Sequence, residues 1–381
     1  MRSETLSSHG AIVAIVALSI VSLPLPDAHA ADGARVTIPQ VTRATNDTFG
    51  RVADAVLTDR TAALLDRSQV ARQAPRFAAG GVRLSAELTK KENGALSSLA
   101  DRRSRLGALN EAYSAADTKV TVDKTTVQGP QATIQVTETT TLTYEKIRGD
   151  EPATTGFTAH HELTFTAQPN GTWGLSNIRR TDKGPRPVNE PAPTAPVLTS
   201  MAVIDAPRAA TNYPAPANPK KKTGTGYNYT AMATYAEKHW KNYNPEYRSF
   251  SSAGGDCTNF VSQSLKAGAW KPVTTSNEDY GTWHYGTSGQ SVSWIGVNEW
   301  SWFTQTAKRS TALANVYQLD IGDVMQMDFD KDGSKDHTMM TTYRSASGVP
   351  YLTYHDTNTY RRSLSSIIAS YPNSTYYGYR T

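Results

Sequence analysis

Apolar side chains recur at two different spacings in the first half of this chain. After the cap-rich run Asn46-Asp47-Thr48, Phe49, Val52 and Val56 follow at intervals of three and four, which predicts a helix. A second helical stretch reads through Leu96, Leu99, Leu106, Leu109 and Tyr113. The period then drops to two. Val120 and Val122, Ile134 and Val136, Leu142 and Tyr144, Leu163 and Phe165, and Trp173 and Leu175 alternate with Thr, Gln and Glu. Gly129-Pro130 and Asn170-Gly171 mark turns between strands. Helices followed by antiparallel strands predict a small α+β domain over 31–182.

The second half has a different pattern. A helix is predicted from 229 to 243, and another begins at Cys257, with Phe260, Val261 and Leu265 as its apolar stripe and Gly268 as its stop. Strands follow around 323–329, 337–344, 351–356 and 374–380. Six of the seven Trp residues lie here, the stretch 271–315 is rich in aromatics and partly irregular, and the rings from Tyr280 to Phe303 read as core or lid packing, with a groove for a peptide or sugar as the other use. This is a second α+β domain, 225–381.

Between the two halves, 183–224 is a Pro-rich linker containing Pro185, Pro187, Pro191, Pro214, Pro216 and Pro219 and ending in three lysines. Such a segment is expected to be extended or disordered and to act as a semi-rigid spacer. At the other extreme, residues 11–23 form an apolar run after Arg2, broken by Pro24 and Pro26 and followed by Ala28-His29-Ala30. That is the layout of a secretory signal peptide, 1–30, cleaved after Ala30. The run is shorter than the roughly 20 residues a membrane span needs. The expected product is secreted, to the medium or the cell wall, and off the membrane after cleavage.

Composition changes this picture little. Charged residues make up 19% and the formal net charge is only +5, which gives no reason to expect nucleic acid as a partner. His160 and His161 are adjacent on a predicted strand and so point to opposite faces, a poor metal pair.

Cysteine usage changes it more. Cys257 is the only cysteine of the chain, so an intramolecular disulfide is excluded. It sits in Gly254-Gly255-Asp256-Cys257-Thr258-Asn259-Phe260, with Asp256 as expected N-cap and the thiol in the first helical turn. Unpaired backbone N–H groups and the helix dipole there favour a thiolate nucleophile. A nucleophile needs a base, and the domain has His239, His284, His337 and His355 to offer. His337 opens a strand after the acidic turn 328–336. If 337–344 and 351–356 pair as a hairpin turning near Ala346-Ser347-Gly348, His337 lies opposite a window holding His355, Asp356 and Asn358. Any of the three can accept from an imidazole N–H.

The segment from Gly255 through Leu265, Gly322-Asp323-Val324, the Asp-rich turn into His337, and Tyr354-His355 followed by Tyr360-Arg361 together resemble the putative amidase domain family. That family is similar to the papain-like NlpC and CHAP cell-wall peptidases of bacteria. The resemblance covers 225–380 and nothing before it. It implies a papain-like α+β fold with Cys257 as nucleophile, His337 as base and His355 as the polar third residue. It also implies hydrolysis of peptide amide bonds, in peptidoglycan, by a monomer needing no cofactor, with the Cys257 N–H helping to hold the oxyanion.

Two further readings compete. Asp328, Asp330, Asp332 and Gly333 match the opening of a calcium loop, but Met339 stands where the twelfth-position Glu belongs, and an acidic β-turn is the plainer reading. Nearby carboxylates would in either case favour a charged His337. A Cys–His acyltransferase or a non-catalytic wall-binding or calcium-binding module are the alternatives to an amidase.

Overall fold

The computed structural model describes residues 39–65, 82–191, 206–251, 255–274, 277, 280–287 and 289–381. The expected signal peptide and the middle of the Pro-rich stretch lie outside the described residues.

Helix α1 (Arg43–Ala62) begins earlier than the cap-rich run suggested, because Thr42 and Thr45 form a reciprocal capping box. Helix α2 (Ala86–Ala108) is capped by Ser85, whose hydroxyl accepts the Leu88 N–H at 3.2 Å. Tyr113 is not its last apolar residue. The chain turns at Asn110, where φ is +61°, and Tyr113 opens the first long strand. The short β1 (Arg83–Leu84) precedes α2, and β2 (Tyr113–Gln128), β3 (Gln131–Tyr144), β4 (Thr154–Ala167) and β5 (Trp173–Arg180) follow as an antiparallel set. The inward faces of the strands meet α1: Phe49, Val52 and Val56 pack on Ile134, Val136, Leu163, Phe165 and Leu175, with Phe49 stacked 4.0 Å from Phe165. His160 and His161 do point apart. His160 reaches Asp182 at 2.9 Å on the surface, while His161 is buried 2.8 Å from Glu138.

The C-terminal half contains helices α3 (Tyr229–His239), α4 (Cys257–Ala267), α5 (Val292–Ile295), α6 (Val297–Thr306) and α7 (Leu364–Ser370). Its strands are the small pair β6 (Tyr285–Gly286) and β7 (Gly289–Gln290), then β8 (Thr311–Leu313), β9 (Val324–Asp328), β10 (His337–Arg344), β11 (Pro350–Tyr354), β12 (Asn358–Ser363) and β13 (Thr375–Arg380). Trp270, Trp283, Trp294 and Trp300 are buried with Phe260, Val261 and Leu265, so most of the aromatic-rich stretch is core. The indoles also explain how α4 can be buried all round as far as Leu265. Trp283 donates to Ser262 at 3.0 Å and Trp294 to Asn259 at 2.8 Å, pairing the polar side chains the helix carries inward.

A single mixed sheet of eleven strands runs through both halves. One edge of β4 pairs with β3. The other serves β5 along its C-terminal part and β12 along its N-terminal part, through Asn358↔Thr158, Thr359↔Phe157 and Tyr360↔Gly156. The described parts of the Pro-rich stretch are packed rather than held away. Arg102 donates to the carbonyls of Val188 and Glu190, each at 2.6 Å, and Asn189 bonds Thr61 and Glu138. Further on, Gln318 donates to the Pro216 carbonyl, and Lys220 is buried 2.6 Å from Asp323. No helix among the described residues is long and apolar enough to cross a membrane.

Candidate active site

Cys257 is the first residue of α4, the position anticipated for it. Asp256 stands at the N-cap but makes no capping bond. Its Oδ1 accepts the Phe250 N–H at 2.7 Å and the Asn259 amide at 2.9 Å, and its Oδ2 lies 2.7 Å from Nδ1 of His355. The free N–H groups at the head of the helix are taken by another carboxylate. Asp356 Oδ2 accepts from Asp256 N at 2.6 Å and from Cys257 N at 2.9 Å. Asp356 reaches in from the tight turn between β11 and β12, where Asp356 and Thr357 both adopt left-handed backbone angles, φ +57° and +79°.

His337 opens β10, directly after the acidic turn that joins it to β9. Pairs Met340↔Thr353 and Thr341↔Leu352 set the register of β10 on β11, and carrying it on brings His337 opposite Asp356. The next residue ties the strand to the helix: Thr338 Oγ1 lies 2.9 Å from Thr258 Oγ1, and Thr258 Oγ1 in turn lies 3.8 Å from the thiol sulfur. One ligand-type atom each from Cys257, His337 and Asp356 lies within 4.8 Å of the others. The three line a cavity of about 300 Å3 together with Phe250, Val297 and the Lys183-Gly184 segment.

His355 does not join this cluster. Its Nδ1 faces Asp256, its Nε2 faces the His239 carbonyl at 2.9 Å, and its ring is sandwiched between Tyr243 and Phe260. Asn358 accepts the Tyr243 hydroxyl at 3.0 Å. His239 contacts the Asn242 carbonyl and His284 contacts Asn277, both outside the cluster. Of the three residues in the expected window, the turn geometry therefore delivers Asp356 to the thiol and imidazole.

The electrostatics differ from the expected thiolate–imidazolium pair. Burial, then the charge of Asp356, push the Cys257 thiol up to about 12. Burial, then the Arg180 guanidinium and the neighbouring His355 ring, bring His337 down to about 3, and its Nε2 is buried without a hydrogen-bond partner. The resting pair is thus neutral thiol and neutral imidazole. The helix head cannot favour a thiolate because Asp356 already occupies its N–H groups. Burial also raises Asp356, and lifts the neighbouring Asp336 to about 6.

Cys257, His337 and Asp356 offer a donor set that could hold a metal, as do Asp328, Asp330 and Asp332, whose oxygens also converge within 4.8 Å. In the acidic turn those oxygens are engaged by the chain itself. Asp328 accepts from Lys331 N and Gly333 N, Asp330 from Asp332 N, and Asp332 from Ser334 N. Met339, at the twelfth position, is buried in the core.

Sequence reasoning missed the contribution of the first half. Arg180 at the end of β5 bonds Thr357, and Gly184 lies against Asp356. No local pattern marks either residue, and only the β4–β12 pairing brings them to the site.

Residues 226–379 match the putative amidase domain family. Among curated proteins, the uncharacterized protein YhbB of Bacillus subtilis (strain 168) is 29% identical over 153 residues, covering 36% of this chain and 48% of YhbB. The uncharacterized protein YjcM of the same organism is 30% identical over 149 residues, covering 35% of this chain and 32% of YjcM. The chain thus spans about half the length of the first relative and about a third of the second. The solved intermembrane space region of chloroplast protein ARC6 aligns with 37% of this chain and 98% of its own at 16% identity and a TM-score of 0.24, a likeness too slight to carry an argument. At family level, the C-terminal region is amidase-like.

Proposed function

We propose that the chain is a secreted cysteine amidase of papain-like design that hydrolyses peptide amide bonds, with bacterial peptidoglycan as substrate. The observation that carries this reading is the convergence of Cys257, His337 and Asp356 at the head of α4 beside an open cavity. The papain-like reading draws support from the thiol at a helix start packed on the strand that carries the imidazole.

In the proposed cycle, His337 takes the Sγ proton as the thiolate sulfur attacks the amide carbonyl carbon. The carbonyl oxygen displaces the Asp356 carboxylate, and the developing oxyanion is held by the N–H groups of Cys257 and Asp256. The released carboxylate turns to His337 and stabilises the imidazolium. Collapse breaks the C–N bond as His337 gives its proton to the leaving amine. Water, deprotonated by His337, then hydrolyses the thioester and frees the thiol. His355 holds Asp256, and through it the approach to the helix. No step calls on a metal, and the neutral resting pair is consistent with proton transfer during attack rather than before it.

The test is release of new amino groups from peptidoglycan fragments by the purified protein, with Cys257→Ala and His337→Ala beside it. Both variants are expected to lose activity by at least about 1,000-fold, since members of such a unit fail together. Full activity in Cys257→Ala would overturn the reading.

A further inference from the structure

We propose that Arg180, which lies outside the amidase-like region, is a positioning residue for the Cys257 site: it clamps the Asp356 turn from the end of β5. The inference rests on the roles given above to Cys257, His337 and Asp356. Arg180 Nη1 donates to Thr357 Oγ1 at 2.8 Å and Nη2 to the Gly184 carbonyl at 2.9 Å, with the Pro185 carbonyl at 3.5 Å from Nη1. A planar guanidinium can hold both segments in fixed relation, which a lysine ammonium cannot do as rigidly. The segment it draws in is fitted to the turn. A Cβ at Gly184 would stand 1.6 Å from the Asp356 carbonyl oxygen, so a glycine is required for that approach.

The turn needs holding. Left-handed angles at two successive non-glycine residues are unfavourable, most of all for β-branched Thr357. Its far side is secured by the β12–β4 pairing and by Thr155, whose hydroxyl donates to the Tyr360 carbonyl at 2.9 Å. Arg180 secures the near side. The carboxylate that the turn aims at the helix head is therefore placed by residues of the first half of the chain, whose role extends to shaping the catalytic site.

Hydrogen exchange of the full chain, read on a peptide spanning 355–359, tests the clamp in Arg180→Ala, Arg180→Lys and Thr357→Val. Faster exchange by at least about 10-fold is expected in Arg180→Ala and Thr357→Val, with a smaller change in Arg180→Lys and none in β2 or β3, which reports an intact fold. Thr357→Val keeps the β-branched shape and all charges, so it decides the matter if Arg180→Ala does not fold. Wild-type exchange in both variants would overturn the clamp. The pH profile of Cys257 alkylation and kcat for amide release are read on the same variants. Faster exchange with both of these unchanged would overturn the positioning role. Should Cys257→Ala retain full activity, the nucleophile reading fails by itself, and the exchange result still decides whether Arg180 holds the turn.

Discussion

Replacing Asp356 by Asn tests the electrostatic logic of the site most directly. Asn keeps an oxygen for the N–H groups of Asp256 and Cys257 but removes the charge. That charge lies within 4.8 Å of the sulfur. At an effective dielectric of about 20, it opposes a thiolate by about 3.5 kcal/mol. Relief of that repulsion corresponds to about a 300-fold rise in thiolate population at neutral pH. A less basic thiolate is also a weaker nucleophile, and a Brønsted slope of about 0.4–0.5 reduces the net gain in alkylation rate to about 20-fold. Because Cys257 is the only cysteine, the mass increase on iodoacetamide treatment reports this residue alone. Amide hydrolysis should move the other way, falling by about 10- to 100-fold, because a neutral Asn cannot balance the imidazolium that forms during attack. Faster alkylation with slower turnover is the expected signature. An alkylation rate within twofold of wild type would refute the claim that the Asp356 charge adds to burial in raising the thiol.

Other perturbations read different parts of the structure. Burial raises the Glu111 carboxyl to about 7, although it accepts the Ser363 hydroxyl at 2.6 Å. The folded state therefore binds this proton more tightly than the unfolded state, and stability should fall between about pH 4.5 and pH 7, by about 3 kcal/mol in total. Glu111→Gln should flatten that dependence in thermal melts at pH 5 and pH 8, and an unchanged slope would count against it. Gly184→Ala places a methyl group against the Asp356 backbone and should lower amide turnover by at least about 10-fold, whereas wild-type turnover would show that the contact is dispensable. Millimolar EDTA should leave turnover unchanged, and its loss on chelation with recovery on adding calcium would assign a working role to Asp328, Asp330 and Asp332.

Legibility in the sequence followed the apolar pattern. Helix α4 could be read because Phe260, Val261 and Leu265 mark one face and Gly268 ends it, and the strands either side of the acidic turn are short runs rich in Val, Met and Thr that are buried on both faces. Strand β12 could not be read that way, since 358–363 holds only Asn, Thr, Tyr, Arg and Ser, and in helix α7 the stripe of Leu364, Ile367 and Ile368 is short and outnumbered by Ser and Ala. Polar partnerships add to their burial: Arg362 bonds Ser366, Ser370 and the Arg186 carbonyl, none of which leaves a periodic trace. The placing of His355 and Asp356 turned on the same limit. A strand would send neighbours to opposite faces, but the left-handed turn at 356 and 357 replaces that alternation, and its geometry directs the carboxylate to the helix head.

The head of α4 also separates two properties that the sequence suggests together. A helix N-terminus offers N–H donors to any anion, and a thiolate is only one candidate. Here Asp356 is already ionically suited to the place and sits 2.6 and 2.9 Å from the two donors, so the resting thiol gains nothing from the dipole. Activation then depends on what can displace Asp356. In the proposed cycle an amide carbonyl acquires the charge to compete for those donors only as the sulfur adds to it, which would couple deprotonation of Cys257 to the presence of a correctly seated substrate. Slow alkylation of the free protein is accordingly what a working nucleophile at this site should show. The discriminating measurement is the Asp356→Asn pair of rates rather than wild-type reactivity alone. An inert buried thiol would also alkylate faster when the charge is removed, but it would have no amide turnover to lose, so only the fall in turnover beside the rise in alkylation marks a nucleophile.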